Sequence, residues 1–117
     1  MRHSVKGRNF NRPSNQRGAL LRSLARSLVL HEAITTTEAK AKELRPFMEK
    51  LVSTARKDTV ANRRLVASRM GNDDEVVKKI FTDLAPRYAE RAGGYTRIVK
   101  RAPSKTTGRE NAYIAFV

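Results

Sequence analysis

The chain has 117 residues, of which 39% are hydrophobic, and its 25 Lys and Arg outnumber its 11 Asp and Glu to give a formal net charge of +14 at pH 7. These values predict one small folded domain with a polyanionic partner, and they exclude a disordered tail. Cysteine is absent, which excludes disulfides and thiolate sites, and the longest uncharged run, residues 111–117, is too short for a transmembrane helix of about 20 residues.

The first 31 residues carry a concentrated positive charge. They contain no acidic residue, and their basic residues are Arg2, Lys6, Arg8, Arg12, Arg17, Arg22 and Arg26. Residues 1–13 lack apolar periodicity and contain Gly7 and Pro13, so they are predicted to form an irregular basic arm. Residues 14–117 are predicted to form a single globular domain. The N-terminal region has no uninterrupted apolar stretch, so we expect no signal peptide.

The first predicted helix follows the arm, with Ser14 as its expected N-cap residue. Its apolar residues recur at helical spacing and mark a core side: Leu20, Leu21, Leu24, Ala25, Leu28 and Val29. Arg22 and Arg26 lie four residues apart on the opposite side, so the helix has a core side and a basic side. After it, the β-branched run at 33–37 predicts a short strand.

The second predicted helix has the clearest periodicity in the sequence. Its apolar side consists of Leu44, Phe47, Met48, Leu51, Val52 and Ala55. Thr35 has capping-box spacing to Glu38, and Thr36 and Thr37 are alternative cap residues. Pro46 lies inside the pattern and is expected to kink or split the helix, because proline has no N–H and its ring clashes with a preceding carbonyl.

Two shorter helices are predicted between residues 58 and 86. Asp58-Thr59 supplies the cap of the third helix, and Gly71 is expected just after its end. The third helix is predicted to run through Ala61, Leu65 and Ala67 to Met70. Residues 72–75 place a cap and negative charge at the start of the fourth helix, where the helix dipole favours them. Its predicted core residues are Val77, Ile80, Phe81 and Leu84, and Pro86 should disturb or end it.

Two strands complete the predicted fold. Gly93-Gly94 forms a turn before a strand that begins at Tyr95, and residues 111–117 are apolar on both sides, which is typical of a covered, paired strand. The segment between them suits a hairpin or a longer loop. The predicted order is arm–α–β–α–α–α–β–β. We therefore expect an α/β domain of the α+β type, with two layers and a small mixed three-stranded sheet.

Catalytic and metal chemistry have little support in the sequence. His3 and His31 are far apart, and neither has a second ligand at suitable spacing. No serine lies in a nucleophile-elbow motif. Gly93-Gly94 lacks phosphate-loop spacing and precedes a strand, whereas phosphate loops open a helix. The sequence therefore predicts a protein that is not an enzyme and that has no cofactor, metal or small-molecule substrate.

Nucleic-acid binding is better supported. Six of the seven basic residues in the first 31 are arginine. The planar guanidinium of arginine donates two parallel hydrogen bonds to a phosphate and stays charged. Further basic residues extend this charge into the domain: Arg63, Arg64, Arg97, Lys100 and Arg101. Phe10 and Tyr95 are expected either to stack on bases or to pack against the domain. Because aromatic residues are few, recognition of folded RNA by shape and phosphate is favoured.

Three alternatives remain open from the sequence. The positive charge could form a solvated surface that serves solubility. The third and fourth helices could imitate a DNA-binding helix-turn-helix, although acidic residues at the start of the fourth would face the phosphates. The basic amphipathic first helix could lie on a membrane, although a core this small needs its apolar side.

Several segments resemble one known family. They are Met-Arg-His at the start, SNQRGALLRSLARSLVLHEAITTTEAKAKELR at 14–45, ANRRL at 61–65, APRYAERAGGYTRIVK at 85–100 and AYIAFV at 112–117. In this order they resemble the bacterial large-subunit ribosomal protein seventeen, the L-seventeen family. The resemblance implies a cytoplasmic, ribosome-associated structural constituent of the 50S subunit. It also implies a two-layer α/β domain with an extended basic arm.

The resemblance also implies partners and contact residues. The expected partners are large-subunit rRNA, near the polypeptide exit side, and neighbouring large-subunit ribosomal proteins, with no membrane. By position it assigns rRNA contacts to Arg2, His3, Arg12, Arg17, Arg22, Arg63, Arg64 and Arg97. The charge pattern adds Lys6, Arg8, Arg26 and Lys100. We expect the arm to be disordered in the free protein and to become ordered on rRNA, with counterion release offsetting the lost entropy.

Overall fold

Four helical regions and three strands make up the part of the chain that the computed structural model describes, residues 14–101 and 111–117. The helices are α1 (Ser14–His31), α2 (Glu38–Ala55), α3 (Val60–Arg69) and α4 (Asp74–Lys79), which continues through a π-helical turn (Ile80–Leu84) into α5 (Ala85–Arg87). The strands are β1 (Ala33–Thr37), β2 (Thr96–Lys100) and β3 (Asn111–Phe116). The α+β class is confirmed. The predicted arm and the segment 102–110 lie outside the described residues.

The sheet is entirely antiparallel, with β3 in the middle. β1 pairs with one edge of β3 and β2 with the other. Ile114 of β3 is in register with both Ile34 of β1 and Ile98 of β2. The predicted mixed sheet is therefore wrong. β1 and β2 do run in the same direction, but the last strand separates them, so this parallel pair does not form.

The core lies between α2 and the inner face of the sheet. Leu44, Met48 and Val52 of α2 are fully buried, as predicted, and so are Ala112 and Ile114 of β3. Helix α1 packs against α2 and contributes further buried residues: Ala25, Leu28 and Val29. These apolar contacts fix the orientation of α1 and β2, which carry predicted contact residues.

Helix α2 is not split by Pro46, which lies inside it as an exposed residue. Proline removes one backbone hydrogen bond from the helix. On the opposite side, however, Leu44 and Met48 remain fully buried. Tertiary packing of an apolar side supplies most of the stability of a helix in a protein, and here it outweighs the loss of one hydrogen bond.

Three helices have side-chain N-caps that the sequence indicated. Thr37, Thr59 and Asp73 each accept a hydrogen bond from the backbone N–H three residues on, at 3.3, 3.1 and 3.4 Å. Thr37 is therefore the cap of α2 among the three threonines considered. After α3, Gly71 has a φ of +66°, a conformation that glycine adopts without strain. These caps define the turns between consecutive helices.

The sequence indicated the extent of α3 but not its buried side. Leu65 is 42% exposed, whereas Val66 and Met70 are buried. The core prediction for the next helical region is confirmed for Ile80, Phe81 and Leu84, which are buried, while Val77 is only partly buried and the neighbouring Val76 is fully buried. Apolar residues surround most of the circumference of these short helices, so their periodicity does not select one side. Contact with α2 and α1 selects it instead.

Pro86 has the predicted disruptive effect. The π-helical turn precedes it, with the N–H of Ala85 donating to the carbonyl of Ile80, five residues earlier. A wider turn gives a proline ring room where a regular helix would crowd it. The helix then ends at Arg87.

Candidate nucleic-acid interface

Some predicted contact residues are held by carboxylates of the domain itself. Arg26 of α1 forms an ion pair with Asp73, the cap residue of α4, and its other terminal nitrogen lies 3.8 Å from Glu75. Lys100 of β2 lies 3.4 Å from the largely buried Glu38, although its own side chain is 74% exposed. In the folded domain Arg26 therefore ties α1 to α4, and Lys100 ties the end of β2 to the start of α2.

Arg63 is also engaged within the domain. It donates to both carboxylate oxygens of Asp58, at 2.5 and 2.8 Å, and its guanidinium carbon lies 5.1 Å from the ring centroid of Phe81. The hydrogen bonds from Arg63 hold the pKa of Asp58 below its ordinary value and raise the pKa of Arg63. This geometry fixes the guanidinium beside the start of α3.

Arg22, Arg64 and Arg97 are exposed, and in the described part of the chain no carboxylate lies within ion-pair distance of them. The side chain of Arg22 extends from α1 to the turn after α3. There its Nε would lie 3.5 Å from a Cβ atom built on Gly71. Arg64 lies on α3 and Arg97 on β2. Their guanidiniums are open to an external anion.

The remaining predicted contacts are near or beyond the start of the described region. Arg17 is half-buried in α1. The arm contacts lie outside the described residues: Arg2, His3, Lys6, Arg8 and Arg12. Within the domain, the structure brings Arg22 and Arg26 together at the α3–α4 turn, and it places Arg97 separately on the sheet.

The helices of the described residues pack on one face of the sheet and leave side chains of the other face exposed. Its side chains alternate with the inner row of Ile34, Ile114 and Ile98, in which Ile114 is buried and the other two are partly buried, and their register across the strands follows from the pairing. We call it the outer sheet face and define it by Thr35, Arg97, Val99, Arg101 and Tyr113. Thr35, Tyr113 and Val99 form one cross-strand row, and Val99 is 49% exposed. The guanidinium carbon of Arg101 lies 5.3 Å from the ring centroid of Tyr113.

Tyr95 packs in the domain, which was one of the two alternatives for this residue. It is fully buried, and its ring centroid lies 5.2 Å from that of Tyr88. Its hydroxyl accepts a hydrogen bond from Arg56 and donates to the carbonyl of Arg91. A buried ring with a bonded hydroxyl is not available to stack on a base.

Three further features of the described residues concern membrane, metal and DNA sites. In residues 14–101 and 111–117, no helix is long and apolar enough to cross a membrane. The same residues contain no cluster of three or more potential metal ligands. The start of α4 carries Asp73, Asp74 and Glu75, which is unfavourable for a helix that would enter a DNA groove.

Comparison with known proteins identifies the family. The model of the family Ribosomal protein L17 matches residues 20–117. The large ribosomal subunit protein bL17 of Hydrogenobaculum sp. (strain Y04AAS1) is 52% identical over 120 residues, covering 100% of this chain and 99% of that protein. The chain belongs to the ribosomal protein L17 family. The resemblance inferred from its motifs is confirmed.

Membership of the L17 family makes the chain a structural, non-enzymatic constituent of the large ribosomal subunit, associated with the ribosome in the cytoplasm. The prediction that the chain is a component of a ribonucleoprotein and acts in translation is therefore confirmed. The family model begins after Arg17, so the predicted contacts of the arm lie before the matched segment, whereas those from Arg22 onward lie within it.

Sequence reasoning missed the pairing of Arg101 with Tyr113 on the outer sheet face. The alternation of residues 111–117 places Tyr113 on the opposite side of β3 from Ile114, which is a usable signal. Neighbouring residues in the sequence do not predict that this side of β3 is left exposed by the helices, because the exposure depends on where the helices pack. Both sides of β3 are apolar in sequence, which suggested a strand covered on both faces.

Proposed function

We propose that this L17-family protein binds large-subunit rRNA through its basic arm, residues 1–13, and through arginines on the surface of a globular domain, residues 14–117. The observation that carries the proposal is the separation of charge. The first 31 residues contain seven basic residues and no acid. In the domain, carboxylates hold Arg26, Arg63 and Arg87, while Arg22, Arg64 and Arg97 face solvent.

Phosphate recognition accounts for this arrangement. Each guanidinium that neutralises a phosphate releases condensed counterions, so affinity falls steeply with salt. The arm contributes adjacent positive charges that would repel one another in the free protein, and RNA removes that repulsion. Arg22 and Arg64 extend the same interaction onto α1 and α3. The expected mode is recognition of folded rRNA through its shape and backbone.

Neighbouring large-subunit proteins are the second class of proposed partner. Helix α3 exposes Val60 and Leu65, at 66% and 42% of their surfaces. Within the described residues these two are the exposed large apolar side chains of the helices, and we propose them as the apolar surface that a neighbouring protein covers. Arg64 on the same helix lies beside them in sequence. Helix α3 is therefore the proposed site where protein and rRNA contacts adjoin.

The test is a salt titration of binding to large-subunit rRNA. Replacing Arg2, Lys6, Arg8 and Arg12 with Ala should weaken binding and reduce the slope of log K against log salt by about 1 per lost phosphate contact. A matched control replaces four exposed basic residues of the domain with Ala and so loses the same number of charges: Arg45, Lys50, Lys57 and Lys78. Unchanged affinity in the arm variant, or equal effects in both variants, contradicts the arm mechanism.

A further inference from the structure

The outer sheet face combines an aromatic ring with two exposed arginines. Tyr113 lies on the central strand, and Arg97 and Arg101 lie on β2 beside it. Arg101 already contacts the ring of Tyr113. Within the described residues, neither arginine has a carboxylate within ion-pair distance. On the inner side of the same strands, Ala112 and Ile114 are buried and Ile98 is partly buried against the core, so among the described residues the outer sheet face is the side that these strands offer to a partner.

We propose that the outer sheet face binds an unpaired nucleotide of large-subunit rRNA, with its base stacked against Tyr113 and its flanking phosphates bound by Arg97 and Arg101. This inference rests on the proposed function and adds a second mode of recognition to it. The arm and the helices bind the backbone of folded RNA. The sheet binds one base that has left its helix.

Chemical complementarity identifies the partner as RNA. A base offers a planar π-face to Tyr113 and to the guanidinium plane of Arg101, and its backbone supplies phosphates for Arg97 and Arg101, which have no carboxylate partner among the described residues. Thr35 of β1 is in register with Tyr113 of β3. It is exposed, and its hydroxyl can donate a hydrogen bond to a ribose or phosphate oxygen. A lipid surface or an acidic protein could also bind these cations, but the L17 family places the chain in the large ribosomal subunit, where the abundant polyanion is RNA.

The outer sheet face has room for one base, and this is why we propose an unpaired nucleotide. The row from Thr35 through Tyr113 to Val99 spans three strands, or about 10 Å at the usual spacing. It carries one aromatic ring, which matches one base. In a duplex the π-faces are covered by neighbouring base pairs, so a base must be extruded in a loop or bulge before it can stack on protein. Only one position of the rRNA is therefore held in this way.

The first experiment separates stacking from charge. Binding of the full chain to large-subunit rRNA is measured over a range of salt for Tyr113→Leu, Tyr113→Phe, Arg97→Ala and Arg101→Ala. Tyr113→Leu should weaken binding about tenfold with an unchanged salt slope, and Tyr113→Phe should bind like the parent. Each arginine variant should reduce the slope by about 1. Thermal melting of each free variant verifies that the domain is folded.

The second experiment detects the stack directly. The chain has no tryptophan, so Tyr113→Trp introduces a single fluorophore on the outer sheet face. Stacking on a base should quench its emission when rRNA binds. Phe47→Trp, on the partly buried side of α2, is the reference, and its emission should not respond. Quenching at Trp in position 113 alone supports the proposal.

The outcomes distinguish this proposal from the one on which it rests. If the parent chain fails to bind rRNA in preference to a competitor RNA, the proposed function fails and the stacking site fails with it. If the parent binds but Tyr113→Leu binds equally well, only the stacking site is overturned. A Tyr113→Leu variant with the reduced slope of Arg101→Ala also overturns it, because the ring would then act only by orienting Arg101.

Discussion

Glu32 shows how one residue joins distant parts of the chain. It lies between α1 and β1 with a φ of +65°, and its carboxylate accepts hydrogen bonds from Arg87 at 2.5 and 3.1 Å. The Nζ of Lys79 lies 3.5 Å from the same carboxylate. These partners hold the pKa of Glu32 below its ordinary value, with the hydrogen bonds from Arg87 as the main cause.

The lowered pKa of Glu32 predicts that this residue stabilises the fold at neutral pH and that the stabilisation is lost in acid. The unfolded carboxyl has the higher pKa, so the stabilisation is complete above about pH 5 and is lost as the pH falls through the folded pKa. Glu32→Gln should lower the free energy of unfolding by less than about 1 kcal/mol at pH 7, because the pair is largely exposed. Melting curves from pH 7 to acid should show a smaller loss in the variant than in the parent. Parallel curves would contradict this role.

Two glycines should respond to alanine in opposite directions. Gly71→Ala should destabilise the domain by about 1 kcal/mol, since φ is +66° there and alanine resists that conformation. Gly18→Ala, inside α1, should stabilise it by about 0.5 kcal/mol through helix propensity. Its new Cβ would approach the movable end of Arg22 at 3.3 Å, which is a small adjustment. Urea unfolding measures both values, and a shared sign would refute the assignment.

At the scale of elements, the start of α4 is joined to α1 by one carboxylate. Asp73 caps α4 and pairs with Arg26. Asp73→Asn retains a capping side chain but loses the charge, whereas Asp73→Ala loses both. We expect a loss of about 1 to 2 kcal/mol in Asp73→Ala and a smaller loss in Asp73→Asn, measured by urea unfolding. Equal losses would show that the cap contributes little.

Sequence reasoning succeeded for elements whose signals are local. The apolar side of α2, the caps Thr59 and Asp73, and the β1 strand depend on neighbouring residues, and they were predictable. The buried side of α3 was not, because its selection depends on α2. Glu49 illustrates the same limit. Its carboxylate accepts hydrogen bonds from the backbone N–H groups of Tyr95 and Thr96, 46 and 47 residues away, and no local pattern indicates that contact.

The same distinction applies to the candidate site. The excess of arginine in residues 1–31 and the L17-family motifs indicated an RNA-binding role without any structure. The sequence could not separate arginines that face solvent, such as Arg64, from those bound by carboxylates, such as Arg63 beside Asp58. That separation depends on the turn geometry and on contacts between helices. It determines which arginines are available to a phosphate.

At the scale of the whole molecule, a net charge of +14 predicts opposite effects of salt on folding and on binding. Raising KCl from about 50 to about 500 mM should raise the melting temperature of the free protein by screening self-repulsion. The same change should weaken rRNA binding. A variant with Arg45→Gln and Lys50→Gln should melt higher than the parent at low salt and gain less from added salt. An equal gain would show that the salt effect is not electrostatic.

The central place of β3 has a consequence for the order of synthesis. β1 and β2 both depend on β3 for their hydrogen bonds, and β3 is the last of the three strands to be translated. While residues 111–116 are still inside the translating ribosome, the nascent chain can form its helices but not its sheet. The arm is translated first. If it binds rRNA as proposed, attachment would precede completion of the fold, and a newly made copy would not need to finish folding before it is captured.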